Sequence, residues 1–406
     1  MKISILKSLY HSLTFFLLVL IFYSCGKKET LETNESLESS GTSENSSEHE
    51  QHIHDSLKNC CEKKPSRFGN NGSSENEGEL SGSGSNYDEN KTSENNHDGM
   101  VWVPGGGFTM GTDEEDAYFP EKPAHDVKVN GFWMDVTEVT NSEFKRFVDA
   151  TNYVTIAEKK PDWNELKKQL PPNTPPPDQK DLVPASLVYI QPIEKTGTED
   201  VSQWWKWVPG ANWRNPEGPG SSIDDKMNLP VVQIAYDDAL AYCKWAGKRL
   251  PTEAEWEFAA RSCLTGKRFA WGDELRPKGK FMANTWQGEF PNNNKIEDGF
   301  GGTAPVKQFP ANCYGIYDMI GNVWEWTADW YDARAYVKMV RDNITDNPKG
   351  PSKSEDPEDP YSVKRVVKGG SFLCSDNYCL NYRPSARRGQ AFDSGTSNIG
   401  FRCVSN

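Results

Sequence analysis

The chain has 406 residues, a formal net charge of −14, nine cysteines, six histidines and fourteen tryptophans. That charge excludes a nucleic-acid backbone or an anionic membrane surface as partner, since both are met by clustered lysine and arginine. By length alone the chain would hold two or three domains. Its first quarter lacks the apolar residues to pack, which leaves one body of about 300 residues, large enough for a sizeable core.

The chain begins with an address. Lysines at 2 and 7, the apolar run SLTFFLLVLIFYS and Cys25 followed by Gly-Lys-Lys are laid out like a bacterial lipoprotein signal, in which Cys25 becomes the lipidated first residue. On this reading residues 1–24 are a signal peptide and 25–98 a tether of Ser, Asn, Glu and Gly too polar to offset chain entropy. Residues 99–406 then form the folded domain, exported and lipid-anchored to a bacterial membrane facing the periplasm or the cell exterior. An ordinary signal peptide or an uncleaved anchor is the other reading, and it too exports the body. Within the tether, His49, His52, His54, Cys60 and Cys61 are metal-binding types. Nothing around them fixes a geometry, so an incidental tract or a disulfide to another chain is the simpler reading.

The folded body opens at MVWVPGGGFTMGTD, where apolar residues alternate with Gly and Pro as in a strand entering a tight turn. Thr140 with Glu143, and Thr252 with Glu255, have the spacing of capping boxes and predict two helix starts. Phe144, Phe147 and Val148 form the apolar face of the first. Another helix is predicted from about Asp237 through DALAYCKWAG, ending at Gly247. Beyond Trp271 helix signals fade, and Gly, Pro, Asn, Asp and Trp dominate around short strand-like runs such as RVVKGG and IGFRCV. The class is α+β with little regular structure and no internal repeat. Buried tryptophan supplies part of the missing order. Calcium is a second candidate, because ANTWQGEFPNNNKIEDGF and YDMIGNVWEW set oxygen donors among glycines, although ordinary Asx-turns explain them equally well.

Disulfides are the third source of order, and export permits them. Six cysteines fall in the body: Cys243, Cys263, Cys313, Cys374, Cys379 and Cys403. Zinc is disfavoured, since the body has one histidine, His125, and no second close cysteine pair beside Cys374 and Cys379. The same shortage tells against a non-haem iron triad. Cys374 and Cys379 sit five apart beside Gly-Gly-Ser, and the residues alone leave two readings. One is a local disulfide. The other is a two-thiolate site for copper(I), which is soft and tolerates two-coordinate sulfur.

From Met100 to Val404 the sequence resembles the formylglycine-generating enzyme family, the sulfatase-modifying factors. The resemblance rests on MVWVPGGGFTMGTD, FWMDVTEVTNSEFKRFV, VPGANWRNPEGPGSSI, AYCKWAGKRLPTEAEWEFAAR, PKGKFMANTWQGEFP, EDGFGGTAPV, YGIYDMIGNVWEWTADW, VVKGGSFLC and SNIGFRC. GKRLPTEAEWE and GNVWEW occur more widely and speak to the fold, whereas GGSFLCSDNYC keeps both cysteines expected of members that make formylglycine. The resemblance implies the family's α+β fold, a C-type-lectin-like variant with bound calcium. It implies oxidation by O2 of a cysteine in an unfolded sulfatase, within a Cys-x-Pro-x-Arg motif, to Cα-formylglycine.

By the same resemblance Cys374 and Cys379 would hold copper(I), the substrate thiolate would join them, and Ser371 would lie near the oxygen. Matching calcium positions are Asn284, Thr285, Asp298 and Phe300 for one site, and Asp318, Gly321, Val323 and Glu325 for another, with Asp318 where the animal enzymes have Asn. Cys243 and Cys403 match a family disulfide. A second animal disulfide is absent, with Ala259 and Pro384 at its positions, while Cys263 and Cys313 could pair or remain thiols. Lys159 to Ser202 departs from the family and reads as a surface insertion. Arg383, Arg387 and Arg388 with Tyr382 would line a groove for the peptide or form a solvated basic face. A monomer is favoured. The alternative from another class is a non-catalytic exported binding or scaffold module of this fold.

Overall fold

The computed structural model describes residues 97–406. The signal-like segment, Cys25, the tether as far as residue 96 and the tract from His49 to Cys61 lie outside the described residues. Among those described, no helix is long and apolar enough to cross a membrane.

Chain order runs β1 (Met100–Val103), β2 (Gly106–Met110), β3 (His125–Val129), β4 (Phe132–Asp135), α1 (Asn141–Thr151), α2 (Trp163–Leu166), β5 (Ala185–Tyr189) and β6 (Trp205–Pro209). It continues with α3 (Tyr236–Trp245), α4 (Glu253–Arg261), β7 (Trp324–Trp330), α5 (Ala335–Arg341), β8 (Lys364–Lys368), β9 (Arg387–Ala391), β10 (Ile399–Gly400) and β11 (Val404–Ser405). The strands form four small sheets: β1-β4-β11, β10-β7-β8-β9, β2-β3 and β5-β6.

Local signals explain the helix ends. Thr140 Oγ1 accepts from the Glu143 amide while Glu143 Oε2 accepts from the Thr140 amide at 2.8 Å, which satisfies two of the free donors of α1. Thr252 and Glu255 repeat the arrangement at α4. Gly247 ends α3 at φ +67°, and the Lys248 amide returns to the Cys243 carbonyl at 2.8 Å in a Schellman turn. Phe144, Phe147 and Val148 are buried as expected, packed with Trp213, Tyr242 and Phe401. Trp204, Trp213, Trp256 and Trp326 are fully buried.

Helix α4 is the central strut. Glu253, Glu257 and Arg261 on its polar side are buried along with its apolar side, and a dense charge network satisfies them. Glu257 takes Lys368 at 2.9 Å, Arg261 at 2.7 Å and the Gly111 amide at 2.8 Å. Glu253 takes Arg387 at 2.6 Å and the Tyr336 hydroxyl at 3.0 Å. The register pairing Lys368 with Glu325 on one side and Arg387 on the other brings these charges to the end of β8. Buried pairs of this kind are weak net contributors but costly to break, about 3–5 kcal/mol when one partner is removed. They therefore pin the point from which the Cys374 loop departs.

Two expectations are corrected. The segment from Lys159 to Ser202 is not merely a surface insertion, because it contains β5. There Leu187 and Val188 are each 1% exposed, and the Ser186 hydroxyl donates to Gln233 Oε1 at 2.5 Å and lies 2.9 Å from the Gly395 carbonyl. Leu187 joins Trp204, Trp205, Trp286, Phe290, Phe372 and Leu373 in an apolar cluster beneath the cysteine loop. Helix α5 was also unforeseen beyond Trp271; Arg334 caps it without a side-chain bond, so the usual start signal is missing.

Candidate active site

The cysteine loop begins where β8 ends. Gly369 (φ +92°) and Gly370 (φ +75°) turn the chain back, and a Cβ on Gly370 would stand 2.8 Å from the Asn381 carbonyl. Only glycine allows both the backbone angle and that approach. Ser371 follows, fully buried. Its amide points at Cys374 Sγ (3.4 Å), and the Cys374 amide returns to the Ser371 carbonyl (2.9 Å). The Cys379 amide closes a second turn onto the Ser375 carbonyl at 3.0 Å. Two successive turns thus carry both cysteines into the interior, 2% and 7% exposed. Both are free thiols in the structure.

Bonds to distant segments hold the loop. The Phe372 amide donates to the Asn322 carbonyl and the Trp286 amide to the Cys374 carbonyl, each at 2.9 Å. Between the cysteines, Tyr378 stacks on Phe290 with ring centroids 4.5 Å apart. Ser371 Oγ accepts from Asn398 Nδ2 at 3.0 Å and from the Leu373 amide at 3.3 Å. Asn398 is itself oriented, since its Oδ1 accepts from Thr396 Oγ1 at 2.6 Å. With two donors on the serine oxygen, its own proton is left to give. Sequence reasoning missed Asn398; its only local signal is a short Thr-Ser-Asn run before a buried strand.

Beside the loop lies an open cleft lined in part by Trp271, Arg276, Phe281, Trp286, Asp376 and Tyr382. Burial, and then the nearby Asp376 charge, push the Tyr382 hydroxyl well above its ordinary range. Arg383 and Arg387 are not in this cleft, and the expectation that they bind substrate is corrected. Each is 1% exposed, Arg383 bonded to Glu121 at 2.9 Å and Arg387 to Glu253 at 2.6 Å. The requirement to pair a buried guanidinium committed both to the core. Arg388 is half-buried over the Tyr118 ring.

The positions expected to bind calcium fall in two adjoining groups. In the first, Asp298 accepts from the amides of Thr285 (3.1 Å) and Phe300 (3.0 Å), and burial raises its carboxyl. Asn284 Oδ1 is buried with no donor. Gln287, not anticipated, bonds Asp298 and the Thr285 carbonyl. An orphaned amide oxygen beside a carboxylate and a carbonyl is a hard donor set that suits calcium.

In the second group Glu325 receives Arg402 at 2.7 Å and Trp256 Nε1 at 2.8 Å. Asp318 is raised to about 6 by burial, and Glu138 is raised well above its range by burial and then by Asp318. Glu138 Oε2 has no donor. Glu138, Asp318 and Glu325 all face the single Arg402 guanidinium here. Gly321 sits between the groups, where a Cβ would meet the Asn284 carbonyl at 2.3 Å, and Val323 is buried. Among the described residues no three His, Cys, Asp or Glu side chains converge closely enough to hold a metal, so any cation here would draw on amide and backbone oxygens as well.

Cys243 on α3 and Cys403 near the C-terminus meet at 3.2 Å between sulfurs, as thiols. Burial and the neighbouring Cys243 sulfur push the Cys403 thiol well up. Cys263 and Cys313 are half-buried on segments set side by side by a 2.8 Å bond from Asn312 Nδ2 to the Ala259 carbonyl. His125 lies in β3 against the Tyr336 ring.

Residues 86–406 match a family model described as a sulfatase-modifying factor enzyme 1-like domain. The chain is 46% identical over 314 residues to a formylglycine-generating enzyme of Mus musculus, covering 76% of this chain and 75% of that one. It is also 46% identical over 308 residues to a formylglycine-generating enzyme of Mycobacterium tuberculosis, covering 76% of this chain and 97% of the relative. A third relative, 40% identical over 319 residues and covering 76% and 85%, is the inactive Cα-formylglycine-generating enzyme 2 of Mus musculus.

Proposed function

The chain belongs to the sulfatase-modifying factor, or formylglycine-generating enzyme, family, and from that premise we propose that it matures sulfatases by converting one of their cysteines to Cα-formylglycine. The observation that carries this reading is the buried pair Cys374 and Cys379, held on two turns beside an open cleft with Ser371 bonded to the loop.

The thiol-to-aldehyde change removes two electrons from the substrate cysteine and releases its sulfur as hydrogen sulfide. O2 takes four, so two further thiols give up the other pair and leave as a disulfide; the second oxygen atom leaves as water. Cys374 and Cys379 would hold copper(I), which when bound supplies an O2-reactive centre that accepts a third thiolate. The donor set fits, with two buried sulfurs and the Ser371 amide favouring charge on one of them. Ser371, with its proton free to donate, orients the reacting sulfur or oxygen. The tight aromatic packing of Trp204, Trp286, Phe290 and Tyr378 excludes water. Both calcium groups are structural in this reading, tying the 284–300 and 318–325 segments that flank the loop. Export and lipid attachment at Cys25 complete it, and the client is an unfolded sulfatase segment with Cys-x-Pro-x-Arg.

Aerobic incubation of the copper-loaded protein with such a peptide, read by mass spectrometry, tests the proposal; absence of aldehyde would overturn it. The likeness to a relative named as inactive favours a second reading, a non-catalytic binding module. Copper(I) titration separates the two, because the enzyme binds one equivalent through thiolates and the module does not.

A further inference from the structure

We infer that Asp376 is a specificity-determining residue that takes a cationic side chain of the bound peptide. The inference rests on the sulfatase-maturing reading and deepens it. Asp376 is the one carboxylate among the residues lining the cleft. It is exposed, and no hydrogen bond or ion pair engages it among the described residues, while its neighbours Ser375 and Asn377 bond each other at 2.7 Å. The cleft's other charge, Arg276, is already occupied, stacked 4.3 Å over Phe281 and within 3.4 Å of Glu297. The remaining wall sets Trp271, Leu275, Phe281 and Trp286 among Thr285, Gln287 and Tyr382.

A free carboxylate in a cleft walled in part by aromatic rings is complementary to a peptide carrying proline and one guanidinium. The placement suits the motif. Asp376 follows Cys374 by two residues, and a peptide cysteine held at the pair has its fourth following residue within ~14 Å along the chain. An exposed pair of this kind is worth roughly five-fold in affinity, so it sorts substrates without setting the rate of chemistry.

The test compares a Cys-x-Pro-x-Arg peptide with its citrulline counterpart, which has the same shape but no charge, by anaerobic fluorescence anisotropy on the full chain. The wild type is expected to bind the arginine peptide roughly five-fold more tightly, Asp376→Asn to bind both alike, and Asp376→Glu to restore the preference. In turnover the effect falls on KM. A preference that survives Asp376→Asn, or that the wild type never shows, overturns the assignment. A chain that shows the preference but makes no aldehyde overturns the proposed function and leaves Asp376 standing. A chain that makes aldehyde with no preference does the reverse.

Discussion

Two cysteine pairs share this body, and they are built for opposite ends. Cys243 and Cys403 are 160 residues apart and meet at 3.2 Å inside an aromatic core, one on the last turn of a helix and the other beside a strand. Cys374 and Cys379 are five apart, on turns rather than regular elements, with a backbone amide aimed at one sulfur and an open cleft alongside. Burial is similar in both, so burial alone does not separate the two pairs. Access and the surrounding donors do. Cys243 and Cys403 are walled in by aromatic rings such as Tyr242 and Phe401, whereas the loop of Cys374 and Cys379 reaches a cleft through Asp376, where the proposed function has a third sulfur arrive.

The sharpest way to break that contrast is substitution. Cys374→Ser or Cys379→Ser is expected to lower aldehyde formation on the order of a thousand-fold, while Cys243→Ser keeps turnover per folded molecule. Equal loss from both pairs would end the distinction. Stability should divide the other way. Oxidised Cys243 and Cys403 are expected to contribute about 2–4 kcal/mol, lost on reduction, and serine at 374 should move the unfolding midpoint far less. Urea titration with thiol alkylation reads both.

The contrast also depends on the platform beneath the loop. Lys368 and Arg261, overcoming the cost of burial, hold the Glu257 carboxyl down to about 2, against 4.5 when free. A lowered carboxyl stabilises fully above its unfolded value and less as pH falls through the folded one. Stability should therefore drop by roughly 3 kcal/mol between about pH 4.5 and 2. Lys368→Met should flatten that slope, and an unchanged slope in urea unfolding would remove Glu257 from the account. The mildest effect is expected at the serine. Ser371→Ala should reduce turnover about tenfold with little change in copper(I) affinity, and a comparable fall in affinity would make Ser371 a structural residue instead.

Much of the scaffold was legible because its signals are local. Thr140 with Glu143, Thr252 with Glu255, and Gly247 each act over three to five residues, so spacing alone reveals them. The Gly-Gly-Ser turn and both loop cysteines were visible for the same reason. β5 was hidden by the proline-rich run before it, and α5 by its missing cap. Gln287, Glu138 and Asn398 carry no local mark of their place at the site.

The sequence by itself settled the α+β class, the family, the principal helix starts and which sulfurs stand together on one loop, because hydrogen bonds within a turn need only neighbours. Tertiary structure alone decided what each charge faces. Arg383 reaches Glu121 across 262 residues and Arg387 reaches Glu253 across 134, so a basic cluster that looks like a groove in the sequence became part of the core. A buried charge must find its partner wherever the fold puts one, and Asp376, left at the rim, has none of its own among the described residues.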